Sequence, residues 1–280
     1  MDLPAGTAAA TSAETPPPAP AEPKRPGVWS GLGTVALYFL LQFGLSLLVG
    51  VLIGFALALK AGIAAGLRHQ KPDTRAIAQL LQTNPDVKVV LAVITIAAAA
   101  VVMVLLVRQL WPAQWSRADL PGFGFVQPGD KKAYLGAVLL GLAVLFLGGL
   151  LTHLLAGGHQ VQQDVAVMAG KVPVGLRVLL ALLVVCVAPI VEELVFRGVL
   201  LSGLASRMRV GWAIVASAII FGCVHLPDFE FAWYPVPALI LLGLVLAWLR
   251  VRTRSLWPSI TLHATNNFMA VLGWFLVTHH

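Results

Sequence analysis

The chain has 280 residues, 59% of them hydrophobic and only 11% charged. A soluble domain carries roughly 25% charged residues, so this chain cannot clothe a water-facing surface and belongs in a bilayer. Its net charge of +7 comes with no arginine–aromatic patch or binding motif, which sets nucleic acid aside as a partner.

Residues 1–28 contain Pro-Pro-Pro-Ala-Pro among many Ala, Thr and Ser, without an apolar period. They read as a disordered or extended cytoplasmic tail ahead of a membrane domain over 29–280. Apolar runs of about 20 residues mark spans, and they fall near 33–59, 88–111, 133–156, 174–206, 211–227, 235–250 and 256–277. The expected fold is therefore an all-α polytopic membrane helix bundle of seven transmembrane helices, or eight if 60–87 dips into the membrane. The first run is too long for a cleaved signal peptide and lacks a small-residue cleavage site. Within 60–87, residues 75–82 suit a short amphipathic surface helix that ends before Asn84-Pro85. The polar, Gly/Pro-rich segments 112–132 and 157–173 read as loops. Cys186 and Cys223 lie in apolar runs without a CxxC spacing, which predicts small core side chains and no disulfide.

Basic residues between spans set orientation. With the N-terminus inside, twelve of the nineteen Lys and Arg, counting Arg197, fall on the inner side. The connection near 227–234 carries Asp228 and Glu230 and no base, which suits the outside. An N-terminus in the cytoplasm follows, and the Ala/Leu/Val/Gly-rich composition suggests a bacterial inner membrane.

Of the twelve acids, only Glu192 and Glu193 sit deep in an apolar run. A carboxylate in hydrocarbon is costly and marks a functional site by default. Glu193 and Arg197 are four apart and stack on one helix face, while Glu192 points about 100° away. Pro189 removes a backbone hydrogen bond and predicts a kink beside the acids. In the next span His225 lies 14 residues after Gly211, and Glu192 lies 16 before Met208. A helical hairpin turning at 207–211 therefore puts Glu192 and His225 at nearly one depth, facing each other. The last run adds His263 and, one turn deeper, Asn267. Together these residues form the candidate site, and the convergence predicts a cavity open to the inner side. His69, His153 and His159 fall near span ends or in loops and take no role.

Glu-Glu-x-x-x-Arg, Phe-x-x-x-His and His-x-x-x-Asn on successive spans resemble the CPBP intramembrane proteases. That family includes the type II CAAX prenyl endopeptidases and bacteriocin-processing or immunity-associated proteins. The likeness covers about 175–270, with a protease core at about 174–277. It implies an endopeptidase in which Glu192 and His225 activate water while His263 and Asn267 bind the oxyanion. Glu193 and Arg197 would support them. Its substrate would be a peptide or membrane-anchored protein, with the lipid bilayer as the other partner. Family members have been treated as metal-dependent, and a metal-free glutamate mechanism has also been argued. The residues fit either: desolvation brings a carboxylate toward a useful basicity, and Glu192, His225 and His263 also make a plausible zinc set. The other reading is a non-catalytic membrane protein, such as a proton-coupled transporter, scaffold or immunity factor. Transporters show repeats in both halves, whereas these polar intrusions occupy only the C-terminal half.

Overall fold

The computed structural model describes residues 23–69, 71, 74–159 and 163–276. The tail predicted as disordered lies largely outside the described residues, and 23–27 run without regular structure into the first helix. The described residues form helices and loops, with no strand among them. In chain order the helices are α1 Val28–Leu67, α2 Thr74–Thr83, α3 Pro85–Leu110, α4 Lys132–Ala156, α5 Asp164–Gly170, α6 Val174–Ala205, α7 Val210–Cys223, α8 Val236–Thr253 and α9 Trp257–Leu276. The chain is an integral membrane helix bundle.

Five of these helices, α1, α3, α4, α6 and α8, are long and apolar enough to cross a membrane. The other two expected spans fall short of that standard for different reasons. Helix α7 has only 14 residues, because the chain leaves the helix before His225 and turns into a 3-10 segment at Leu226–Phe229. Helix α9 has 20 residues, but Ser259, His263, Thr265, Asn266 and Asn267 dilute its hydropathy. The 40-residue α1 is about 60 Å long, against a hydrocarbon core of about 30 Å. Its apolar run was expected to end near 59, yet the helix continues to Leu67. Helix α2 falls where the amphipathic segment was expected, and Asn84 then caps α3 by accepting from the Val87 amide at 3.1 Å. The 157–173 connection, expected to be loop, contains α5.

Side-chain exposure follows a membrane rule rather than a water rule. Leu40, Phe43, Leu47, Val51 and Phe55 form an exposed apolar stripe on α1, which suits lipid. Polar atoms go inward: Glu193, Arg197, Ser217, Arg250 and Ser259 are all buried. Cys186 and Cys223 are exposed, so the expectation of core cysteines is corrected. In a bilayer an apolar run has an outward face that is as apolar as its core, and periodicity cannot tell the two apart.

Helix α6 is the centre of the bundle, with every residue from Glu193 to Leu204 buried. Helices approach it and one another at small residues, as membrane helices do when packing rather than the hydrophobic effect must hold them. On α8, a methyl added at Gly243 would meet the Ala218 Cα of α7 at 3.0 Å. On α4, one added at Gly141 would meet the Leu262 carbonyl oxygen of α9 at 3.0 Å. At the N-terminal end of the bundle, buried Arg250 donates to the carbonyls of Phe123 and Gly122 at 3.2 and 2.6 Å. It thereby fastens the 111–131 loop to α8. Asp119 and Arg254 form an exposed ion pair beside it, and the guanidinium holds the Asp119 carboxyl below its usual range by hydrogen bonding.

The α7–α8 contact gives a direct test. Gly243→Ala should cost about 1–3 kcal/mol from overpacking, read as a lower thermal unfolding midpoint in detergent. Gly243→Leu should prevent recovery of monodisperse protein. A Gly243→Leu variant as stable as wild type would show that the helices do not approach this closely.

Candidate active site

The site is built on α6, whose hydrogen bonding departs from α twice. Leu183–Val187 and Leu194–Leu200 are π-helical, a feature that recurs at functional sites because it widens a turn. The sequence predicts a kink at Pro189, and the structure puts the first π segment there. The amide of Ala188 donates to Leu183 O, five residues back. It is therefore not given to Val184, and Pro189 has no N–H to offer in its place. The Val184 carbonyl instead accepts from Asn267 Nδ2 at 3.0 Å. Asn267 is thus fixed to α6 through one amide proton, leaving a second.

Between the two π segments stand Glu192 and Glu193. Glu193 is fully buried, and its Oε1 accepts from Arg197 Nη1 at 3.0 Å and pairs with His263 Nδ1 at 3.0 Å. Arg197 is also fully buried. It donates to Gly243 O at 3.3 Å and lies over the Phe221 ring at 4.2 Å from the centroid. As the carboxylate of an ion pair with Arg197, Glu193 accepts, and His263 Nδ1 then carries the proton. His263 Nε2 then faces Glu192 Oε2 at 3.7 Å, an ion-pair distance rather than a hydrogen bond.

This corrects the sequence reading in two places. Glu193 was assigned to Arg197 alone, and it also orients His263. Glu192 was expected to face His225, whereas the imidazole in ion-pair range of it is that of His263. Helical pitch explains both: the acids diverge by about 100°, and a ring entering from α9 reaches between them. His225 lies beyond the end of α7, where its Nδ1 meets the Phe221 carbonyl at 2.7 Å. A carbonyl only accepts, so Nδ1 carries the proton, which leaves Nε2 facing away from that bond.

Glu192, His225, His263 and Asn267 all line one cavity of about 480 Å³. Sequence reasoning missed other members of its wall. Tyr38 comes from α1 and is only 2% exposed, Asn266 precedes Asn267, and Asp164 and Asp228 stand at the rim. Asn266 follows His263 by three residues, a helical spacing that could have flagged it. Tyr38 gave no signal, because a lone Tyr in an apolar run is commonplace.

The cavity runs from Glu192 toward Gln163–Val165 and Asp228–Phe229. None of its lining residues comes from the N-terminal end of the bundle. That end is defined by Gln114 bonding Lys24 O at 3.0 Å, by Leu256 bonding Gly124 O at 2.7 Å and by the turn at 206–209. The lining therefore comes from the part of the bundle away from that end.

Zinc was a plausible guest from the residue types alone. Among the described residues no group of three His, Cys, Asp or Glu is arranged to hold a metal ion. Glu192, His225 and His263 line one cavity, and of their mutual ion-pair contacts only His263–Glu192 falls within 4 Å.

Residues 174–269 match a family model described as Rce1-like, type II CAAX prenyl endopeptidase. Over this segment, about a third of the chain, the protein is similar to the CPBP/CAAX proteases. The Rce1-like segment runs from the start of α6 into α9 and carries all six site residues. No curated protein and no solved structure matches the chain.

The buried charge chain predicts a measurable asymmetry. Arg197→Leu should destabilise by about 3–5 kcal/mol, because Glu193 is left buried and uncompensated. Adding Glu193→Leu should recover part of that loss. Additive losses in thermal unfolding of the purified variants would mean the pair is not coupled.

Proposed function

We propose that the protein is an intramembrane endopeptidase in which Glu192 is the general base. The observation that carries this reading is the single cavity into which Glu192, His225, His263 and Asn267 all face, within the Rce1-like segment. The substrate is a peptide or a protein segment presented from the bilayer.

In the proposed reaction a water held near Glu192 and the His225 Nε2 lone pair attacks the scissile carbonyl carbon. Its proton passes to the Glu192 carboxylate, and the carbonyl oxygen becomes an oxyanion. Hydrogen-bond donors aimed at that oxygen lower the barrier. Two groups can supply them: the Asn267 proton not used on Val184, and His263 Nε2–H when the ring is protonated. Glu193 favours that imidazolium by accepting from Nδ1, as a carboxylate behind a histidine does. Glu192 then returns its proton to the leaving amine, and the C–N bond breaks to give a carboxylic acid and an amine. A cavity of about 480 Å³ is within the range that holds a small ligand, here a few residues of peptide.

We place all seven expected runs in or across the bilayer, with α7 and α9 completing the bundle beside the five longer helices. The excess of Lys and Arg at the N-terminal end of the bundle argues for that end in the cytoplasm. On that orientation the cavity opens on the opposite face.

Two measurements test these readings. Glu192→Gln should lower peptide turnover by about 10²–10⁴-fold with an unchanged thermal unfolding midpoint, and wild-type activity should persist in chelator. Equal turnover by the two proteins would remove Glu192 as base. For orientation, Glu230→Cys in a background with Cys186 and Cys223 replaced by Ser should react with an impermeant maleimide on intact cells. Labelling only after lysis would reverse the assignment.

A further inference from the structure

The cavity's charge is opposite to that of the protein. The chain carries 19 Lys and Arg against 12 Asp and Glu, yet the charged residues lining the cavity are Asp164, Glu192 and Asp228, with no Lys or Arg among them. Glu192 lies deep, beside His263. Asp164 and Asp228 stand at the mouth on two separate elements, the start of α5 and the 3-10 turn after α7, and both are exposed to the opening. Among the described residues neither has a cationic partner within ion-pair distance. The groups share one field: burial, then the charges of Glu192 and Asp164, push the Asp228 carboxyl up, while His225 opposes them.

Unpaired carboxylates on adjoining elements of a low-dielectric cavity concentrate field lines and raise the local concentration of cations. Chemistry at Glu192 gives the field a direction. A chain entering to be cleaved there must leave several of its residues beside Asp164 and Asp228.

We propose that Asp164 and Asp228 select the substrate, favouring a peptide segment with Lys or Arg on the side of the scissile bond that lies in the mouth. The inference rests on the protease reading of this cavity and adds a specificity to it. The same field repels acidic residues, and it repels a free chain-terminal carboxylate placed within a few residues of the cleaved bond. Substrates of this class are internal sites at the junction of an apolar segment and a basic flank.

The test uses three peptides that share one apolar stretch and differ in a flank of Lys, Ala or Glu. Full-length protein in micelles is assayed for kcat/KM and, separately, for binding by fluorescence anisotropy at low and raised salt. The Lys peptide should be favoured over the Ala peptide roughly fivefold for each carboxylate, the upper range for exposed ion pairs, and the Glu peptide should be worst. Asp164→Asn and Asp228→Asn should each shrink the Lys-to-Ala ratio about fivefold, and raised salt should shrink it further. A merely structural role would lower all three peptides together and leave the ratio unmoved. Equal binding and equal turnover of the three peptides would overturn the inference while leaving the protease reading intact. Failure of wild type to cleave any of them would count against the protease reading, and the binding ratios would still decide the charge selection.

Discussion

The structure depends on one arginine and one glutamate held against each other where water is scarce. Arg197 and Glu193 are both fully buried and pair at 3.0 Å. Such a pair seldom adds net stability, but removing either member is expensive. Its value here is positional. The Gly243 carbonyl and the Phe221 ring hold Arg197, Arg197 holds Glu193, and Glu193 holds His263. One charge chain thereby ties α6 to α7, α8 and α9. It also sets which nitrogen of His263 is presented to Glu192.

A second constraint works through missing hydrogen bonds. Pro189 and the π segment before it leave the Val184 carbonyl without a backbone donor, and Asn267 of α9 supplies one. An unpaired carbonyl in hydrocarbon costs several kcal/mol, so the irregular helix and the asparagine require each other. The tight approaches at Gly141 and Gly243 bring α9 and α8 close enough for these polar contacts to form. Packing and polarity are thus one arrangement, with small residues setting the distances that the hydrogen bonds then use.

The cavity's acidic lining contrasts with the basic N-terminal end of the bundle, where Arg250, the 111–131 loop and the Asp119–Arg254 pair lie. The two ends differ in sign as well as shape. The length of the helices keeps these two sets of charges apart.

Much of this was legible in the sequence. Composition required a membrane bundle, the apolar runs located its helices, and the few polar residues inside those runs included several that line the cavity. Each of those conclusions rests on one physical rule: a polar group in hydrocarbon must be compensated. The rule says that Glu192, Glu193, Arg197, His225, His263 and Asn267 need partners, but it does not choose the partners. That choice depends on rotation and tilt of neighbouring helices, which sequence spacing does not encode. Only the tertiary structure puts His263 between both glutamates, turns His225 to its own helix end and brings Tyr38 across from α1. It alone places Asp164 and Asp228 at a common mouth, and shows that this mouth lies away from the N-terminal end. Composition and spacing determined which residues need compensation, because burial energy is local to each side chain. Their pairing and the cavity's direction came from the packing, because both depend on several helices at once.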